Sequence, residues 1–327
     1  MTFKHLLILF AFILALQGCF WKEAGSWKND QISPSDRSNF HELDDKLLKS
    51  IKSSDNDAIK GLVARELLEN DSFNRAVSDI SGLFQKNDYT ISDEYYVVNK
   101  YKTVDTILNH SKSINNYNLR YPNTSREMYI ALFVPKNNPD DQWMVCAVFS
   151  KLDYGWKLTM LDFGMYKIDG MTAPELCKKA ENEHENHYLI NSANLMSLAN
   201  SIKRPVGIRV YTFEDTINTV YWRIAAEATA KTKFPIILND VPTHPAIFKI
   251  FEGEFKDGYY PQIYYQTSIK LSDTAALRKE NNEMMKALPK LLPGIDKDTP
   301  WLLFTAFNKK PNTMENVPRY EMDNRLK

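Results

Sequence analysis

The sequence predicts an α+β protein: helices packed on a curved antiparallel sheet, a helical hairpin, then a second α+β domain. Three observations carry this. Apolar residues recur at helical spacing over 40–69 and 73–84. Between Tyr95 and Ile168 the period falls to two, with β-branched and aromatic residues throughout. Helical spacing then returns over 171–204, and strand-like and helix-like runs follow to Phe307. At 327 residues and 43% hydrophobic content, the chain can bury two cores.

The N-terminus stands apart from that body. Lys4 and His5 make a weakly basic start, Leu6 to Leu16 carry no polar side chain, and Leu16-Gln17-Gly18-Cys19 follows. So short an apolar run suits the core of an export signal better than a membrane span. The string resembles the bacterial lipoprotein signal, whose lipobox runs Leu, a tolerant position, Gly or Ala, then Cys. The resemblance implies a signal peptide over 1–18, acylation (palmitate-type chains) of Cys19 as the new N-terminus, and a lipid anchor in the cell envelope. Family members with Asp after the cysteine stay in the inner membrane. Phe20 stands there in this chain, which implies the outer membrane where the host has two. Several acyl chains anchor stably where one is marginal. The polar residues that follow, with Gly25 and Pro34, predict a tether over 19–39.

The body begins with Leu43, Leu47, Leu48 and Ile51 on one helix face and Ile59, Leu62 and Val63 on another, separated by Ser53-Ser54-Asp55-Asn56. Val77, Ile80 and Phe84 predict a third helix. Strands follow over 95–108, 127–134, 142–151 and 156–168. Met128, Ile130, Leu132 and Val134 alternate with Tyr129, Ala131 and Phe133; Trp143, Val145, Ala147 and Phe149 alternate with Met144, Cys146 and Val148. Both faces are apolar, so one meets the helices and the other lines a cavity or meets a second layer. Asp153-Tyr154-Gly155 predicts a tight hairpin. Short helices followed by such a sheet, ending in a hairpin with Trp156-Lys157-Leu158, resemble the nuclear transport factor 2-like fold over 40–170. That resemblance implies a sheet curled round a cone-shaped pocket, serving isomerases and dehydratases in some members and binding alone in others. Tyr129, Trp143, Trp156 and Asp162 are the pocket candidates. Trp156, Leu158 and Met160 alternate onto one face, which Asp162 continues. A carboxylate in an apolar cone would have a raised pKa and serve as general base. Leu161 and Phe163 suit the opposite face, so a bulge would move Asp162 out.

Thr172-Ala173-Pro174-Glu175 is a capping box with Pro in the first turn, opening a helix to about 186. A partner helix over 192–203 stops before Pro205, and the pair resembles a single tetratricopeptide-style hairpin, here a connector over 171–204. A solenoid needs about three such units. The C-terminal α+β domain spans 205–310. Strands are expected over 206–213, 235–238, 246–255, 259–269 and 301–307, with helices over 217–228 and 277–292. Lys256-Asp257-Gly258 supplies a hairpin turn. Residues 311–327 read as a polar tail.

Candidate chemistry is sparse. His184 and His187, with Glu181 nearby, are metal-like residue types, but the HExxH spacing is absent and the cluster falls at a helix end. Tyr259, Tyr260, Tyr264, Tyr265 and Trp301 are candidates for a stacking surface. No G-x-S-x-G, G-x-G-x-x-G or G-x-x-x-x-G-K-[ST] occurs, His244 is isolated, and Asp296-Lys297-Asp298 lacks the glycine and glutamate of a calcium loop. No cofactor is expected. With 41 basic and 41 acidic residues the chain has no field to steer it to nucleic acid. Cys146 and Cys177 are the remaining thiols, bridged or free. The reading is a membrane-anchored envelope protein that binds a partner protein or small ligand without chemistry. The alternative is a pocket enzyme with Asp162 as base.

Overall fold

A computed structural model describes residues 22–101, 103–256, 258–312 and 317–326. The segment read as an export signal, Cys19 and Phe20, and the expected turn residue Asp257, lie outside the described residues. The fold is mixed α+β with mainly antiparallel sheets.

The stretch expected to be a tether already carries structure. Gly25–Lys28 (β1) pairs antiparallel with Tyr89–Val98 (β2). Trp27 stacks on Tyr96 at 5.6 Å, and Lys28 Nζ lies 3.0 Å from Asp93. An edge strand needs one neighbour and few apolar residues, so its composition looks like a linker. The first helix, Pro34–Lys52 (α1), also starts inside the expected tether. The Ser33 hydroxyl accepts from the Asp36 amide, and Pro34 opens the first turn. Asn56–Leu62 (α2), Arg65–Leu68 (α3) and Asp71–Lys86 (α4) follow, with Asp55 and Asn70 as caps.

Val104–Ile107 (β3) and Tyr117–Pro122 (β4) come next, then Glu127–Pro135 (β5), Gln142–Leu152 (β6) and Gly155–Lys167 (β7). The main sheet runs β1-β2-β5-β6-β7, antiparallel throughout. The expected alternation holds. Tyr129, Ala131, Phe133, Val145, Ala147 and Phe149 pack under α1, α2 and α4. Met128, Ile130, Leu132, Met144, Cys146 and Val148 pack on the other face. That second face meets another layer. It is covered by Ala173–Glu185 (α5), Leu189–Ser201 (α6), Arg209–Tyr211 (β8) and Glu214–Lys231 (α7).

The strand β4, unmarked in the sequence, joins β3 and β8 in a separate three-stranded sheet. There Arg209 is 2% exposed, its guanidinium 4.0 Å from the Tyr117 ring centre and 4.2 Å from that of Tyr211. Residues 206–224 therefore belong to the first core, although the domain boundary was expected at 204–205. Only 209–211 of the expected 206–213 strand pairs.

The second core is built by Ile236–Ile237 (β9), Ala246–Phe255 (β10), Gly258–Gln266 (β11), Thr274–Leu291 (α8), Trp301–Phe307 (β12) and Arg319–Arg325 (β13). The sheet order is β13-β12-β11-β10-β9, with β11 and β12 parallel. Ile247, Ile263, Tyr265, Leu302 and Phe304 meet Leu277, Met284 and Leu288 of α8. The expected polar tail thus contributes β13, an edge strand whose one buried side chain is Met322.

Candidate ligand-binding clefts at the helical hairpin

The four pocket candidates of the first domain are not brought together. Tyr129 is fully buried beneath α1 and stacks on Phe40 at 4.3 Å. Its hydroxyl lies 2.6 Å from Asp44 Oδ2 and 2.9 Å from Glu94 Oε2. Glu94 is also held by Arg37 Nε at 2.5 Å and by His41. Burial pushes the Asp44 carboxyl well above the usual carboxylate range. Trp156 meets Phe40 edge-on at 5.1 Å, and Trp143 lies 5.7 Å from Phe163. Tyr129 and Trp156 thus fill the interface with α1, and Trp143 packs on Phe163, rather than line a cone with Asp162.

Asp162 is on the other face, and the cause is one extra residue. Val148 pairs with Met160 and Phe149 with Leu158, so Thr159 is bulged and the alternation of β7 inverts beyond it. Asp162 pairs with Cys146, away from Trp156 and Leu158. Its Oδ1 accepts from the Phe163 amide at 2.9 Å and its Oδ2 from the Gly207 amide at 2.7 Å. A Cβ on neighbouring Gly164 would lie 2.2 Å from the Pro205 carbonyl oxygen. Asp162 therefore pins the 205–207 loop where glycine lets the chain come close. Cys146 and Cys177 are buried free thiols, each raised by burial, Cys177 to about 12.

A cleft with a mixed polar and apolar lining lies instead beside the α5–α6 hairpin. The capping box forms as the sequence predicts: the Thr172 amide donates to Glu175 Oε2 at 2.8 Å. Leu176, Cys177 and Ala180 bury one face of α5, which carries His184 in its last turn to the edge of the core. His187 makes the turn with φ +65°. Gly294, at φ +88°, lets the chain pass Tyr188 where a Cβ would lie 2.2 Å from the ring. On α7, Glu227 and Lys231 sit four residues apart on one face. Glu227 Oε1 accepts from Lys231 Nζ at 2.6 Å, and Oε2 lies 2.7 Å from His184 Nε2. Lys231 first and His184 second hold the Glu227 carboxyl at about 2.

These residues form one wall of a cleft of about 540 Å3. Leu189, Ile190, Ile236, Leu291 and Leu292 form the apolar wall, and Lys233 and His187 complete the polar one. The volume lies in the range that takes a small organic ligand. His184 and His187, the metal candidates, do meet here, but His184 is committed to Glu227. Among the described residues no group of three or more His, Cys, Asp or Glu is placed to hold a metal ion.

A second cleft, of about 310 Å3, adjoins the same hairpin and the β10–β11 strands. Asp169, Glu183 and Glu252 line it, with Asn191, Tyr259 and Tyr260. Burial raises all three carboxyls. Glu252 rises to about 7, mainly through desolvation, with the Asp169 charge adding and an Asn194 hydrogen bond of 3.0 Å opposing. Of the expected stacking surface, Tyr259 and Tyr260 line this cleft, Tyr265 is core, and Tyr264 packs against Phe248, Phe251 and Phe307. Trp301 packs on Phe255, with Lys256 Nζ 3.7 Å above its ring.

The sequence flagged His184 and His187 but missed Glu227, Lys231, Lys233 and Glu252. The Glu227–Lys231 spacing was visible and reads by itself as an exposed helix pair. Comparison with protein-family models, curated proteins and solved structures finds no match to this chain.

Proposed function

We propose that the protein is an envelope lipoprotein, anchored through Cys19, that binds a small ligand in the cleft beside His184 without transforming it. The observation that carries the binding reading is the 540 Å3 cleft, lined by leucine and isoleucine together with histidine, lysine and glutamate. The lipobox residues Leu16 to Cys19 support the anchor. Against the alternative of a pocket enzyme, both Asp162 oxygens are occupied by backbone amides, the bonds of a loop anchor. The nuclear transport factor 2-like kinship of 40–170 remains a proposal resting on element order, with helices preceding an antiparallel sheet. Packing on both faces leaves that kinship without its pocket.

Metabolic acyl labelling tests the anchor: label is expected on the wild type and lost in Cys19→Ser, and equal labelling would refute it. For the binding reading, the protein is captured from native membranes and its co-purified small molecules are identified by mass spectrometry. Leu291 is 52% exposed, so Leu291→Glu places a charge on the apolar wall without disturbing the core. At an unchanged melting temperature, a species present with the wild type should vanish from this variant. Identical profiles would remove the reading.

A further inference from the structure

We infer that the ligand of this cleft is a free single-chain anionic amphipath: one apolar chain ended by a carboxylate or phosphate. The inference rests on the binding reading and adds the chemical class. It follows from which groups in the cleft are already committed. Glu227 is its one acidic side chain, and both oxygens are taken, by Lys231 and His184. His187 and Lys233 line the same cleft. Neither side chain has an ion-pair or hydrogen-bond partner among the described residues. Lys233 is then the uncommitted charged group of the lining, and the His187 imidazole and the Thr232 hydroxyl can each donate beside it, which selects an anion.

The apolar part of the lining selects the rest of the molecule. Ile190 and Leu292 are buried members of the second core, and Ile236 packs against it. Leu291 continues this wall into the opening, 52% exposed. A half-exposed leucine beside an apolar cavity gains most from a ligand that covers both. An apolar chain along 189–190, 236 and 291–292 with its anionic end at Lys233 and His187 satisfies both walls. A cationic amphipath would bring a second positive charge to Lys233, and a small inorganic anion would leave the leucine wall wet.

The test uses the full lipidated chain in phosphatidylcholine nanodiscs at pH 7, with equilibrium dialysis of labelled octanoate, decanoate and dodecanoate. Cleft binding is the saturable difference between wild type and Leu291→Glu. Affinity is expected to rise about 4-fold per added methylene. Lys233→Gln should weaken dodecanoate about 10-fold and leave dodecanol unchanged. Chain-length independence, or dodecylammonium binding as tightly as dodecanoate, would overturn the assignment. Loss of the dodecanoate signal when the nanodiscs contain phosphatidylglycerol would also overturn it, pointing to a two-chain membrane lipid. If no alkanoate binds while native membranes still yield a molecule lost in Leu291→Glu, the ligand class fails and the binding reading stands. If neither appears, both fail.

Discussion

Glu252 gives the sharpest quantitative expectation. Burial raises its carboxyl from 4.5 to about 7. In the unfolded chain the group releases its proton near 4.5, so between these values the folded state binds more protons than the unfolded. Stability must then fall as pH rises through this window. The contribution is fully present below pH 4.5 and lost above 7. At 1.36 kcal/mol per unit, the swing is about 3 kcal/mol. Glu252→Gln removes the titration and keeps an oxygen to accept from Asn194 Nδ2. The assay is urea unfolding of wild type and variant from pH 4 to 8. The two should be similar at pH 4, and the variant about 3 kcal/mol more stable at pH 8. The neighbouring raised carboxyls, Asp141, Asp169 and Glu183, tilt both curves the same way and largely cancel in the difference. A difference flat to within 1 kcal/mol across the range would show that Glu252 is solvated and that the second cleft is wet.

Three further outcomes follow from the packing. Tyr129→Phe strips buried Asp44 and Glu94 of their shared hydroxyl and should cost about 1–3 kcal/mol in thermal unfolding; an unchanged melting temperature would contradict the network. Gly164→Ala drives a Cβ against the Pro205 carbonyl, so the 205–207 loop must move off Asp162; a loss of about 1–3 kcal/mol is expected, and a neutral substitution would mean the loop is not seated there. Cys146 and Cys177, buried with raised thiol pKa values, should resist alkylation at pH 8 until the protein unfolds, which mass spectrometry after iodoacetamide would read; rapid labelling of either in the folded state would refute that burial.

What the sequence determined by itself is local in origin. The period-two runs of β5 and β6 assign each side chain to its face because pleating puts alternate residues on opposite sides. The Thr172 capping box marks the start of α5 because its bonds lie within one turn. The string Leu16 to Cys19, on which the proposed anchor rests, is likewise contiguous. Tertiary structure decided what depends on a partner. The strands β1 and β13 have polar compositions that resemble linkers, β4 is a short Tyr-Asn-Leu-Arg-Tyr-Pro run, and pairing defines all three. The face of Asp162 turned on the bulged Thr159: Leu161 and Phe163 hinted at a bulge in the period, but only strand pairing decided that one forms and where, since one inserted residue inverts every side chain after it. Both clefts lie where segments distant in the chain meet: the turn after α5 with the end of α7 and the loop after α8, and the same hairpin with β10 and β11. His184 was legible as a titratable residue at a helix end. That it meets Glu227 at the edge of a cleft lined by leucines was set by how α5, α7 and α8 pack, because long-range contacts create a cavity and no single stretch encodes one.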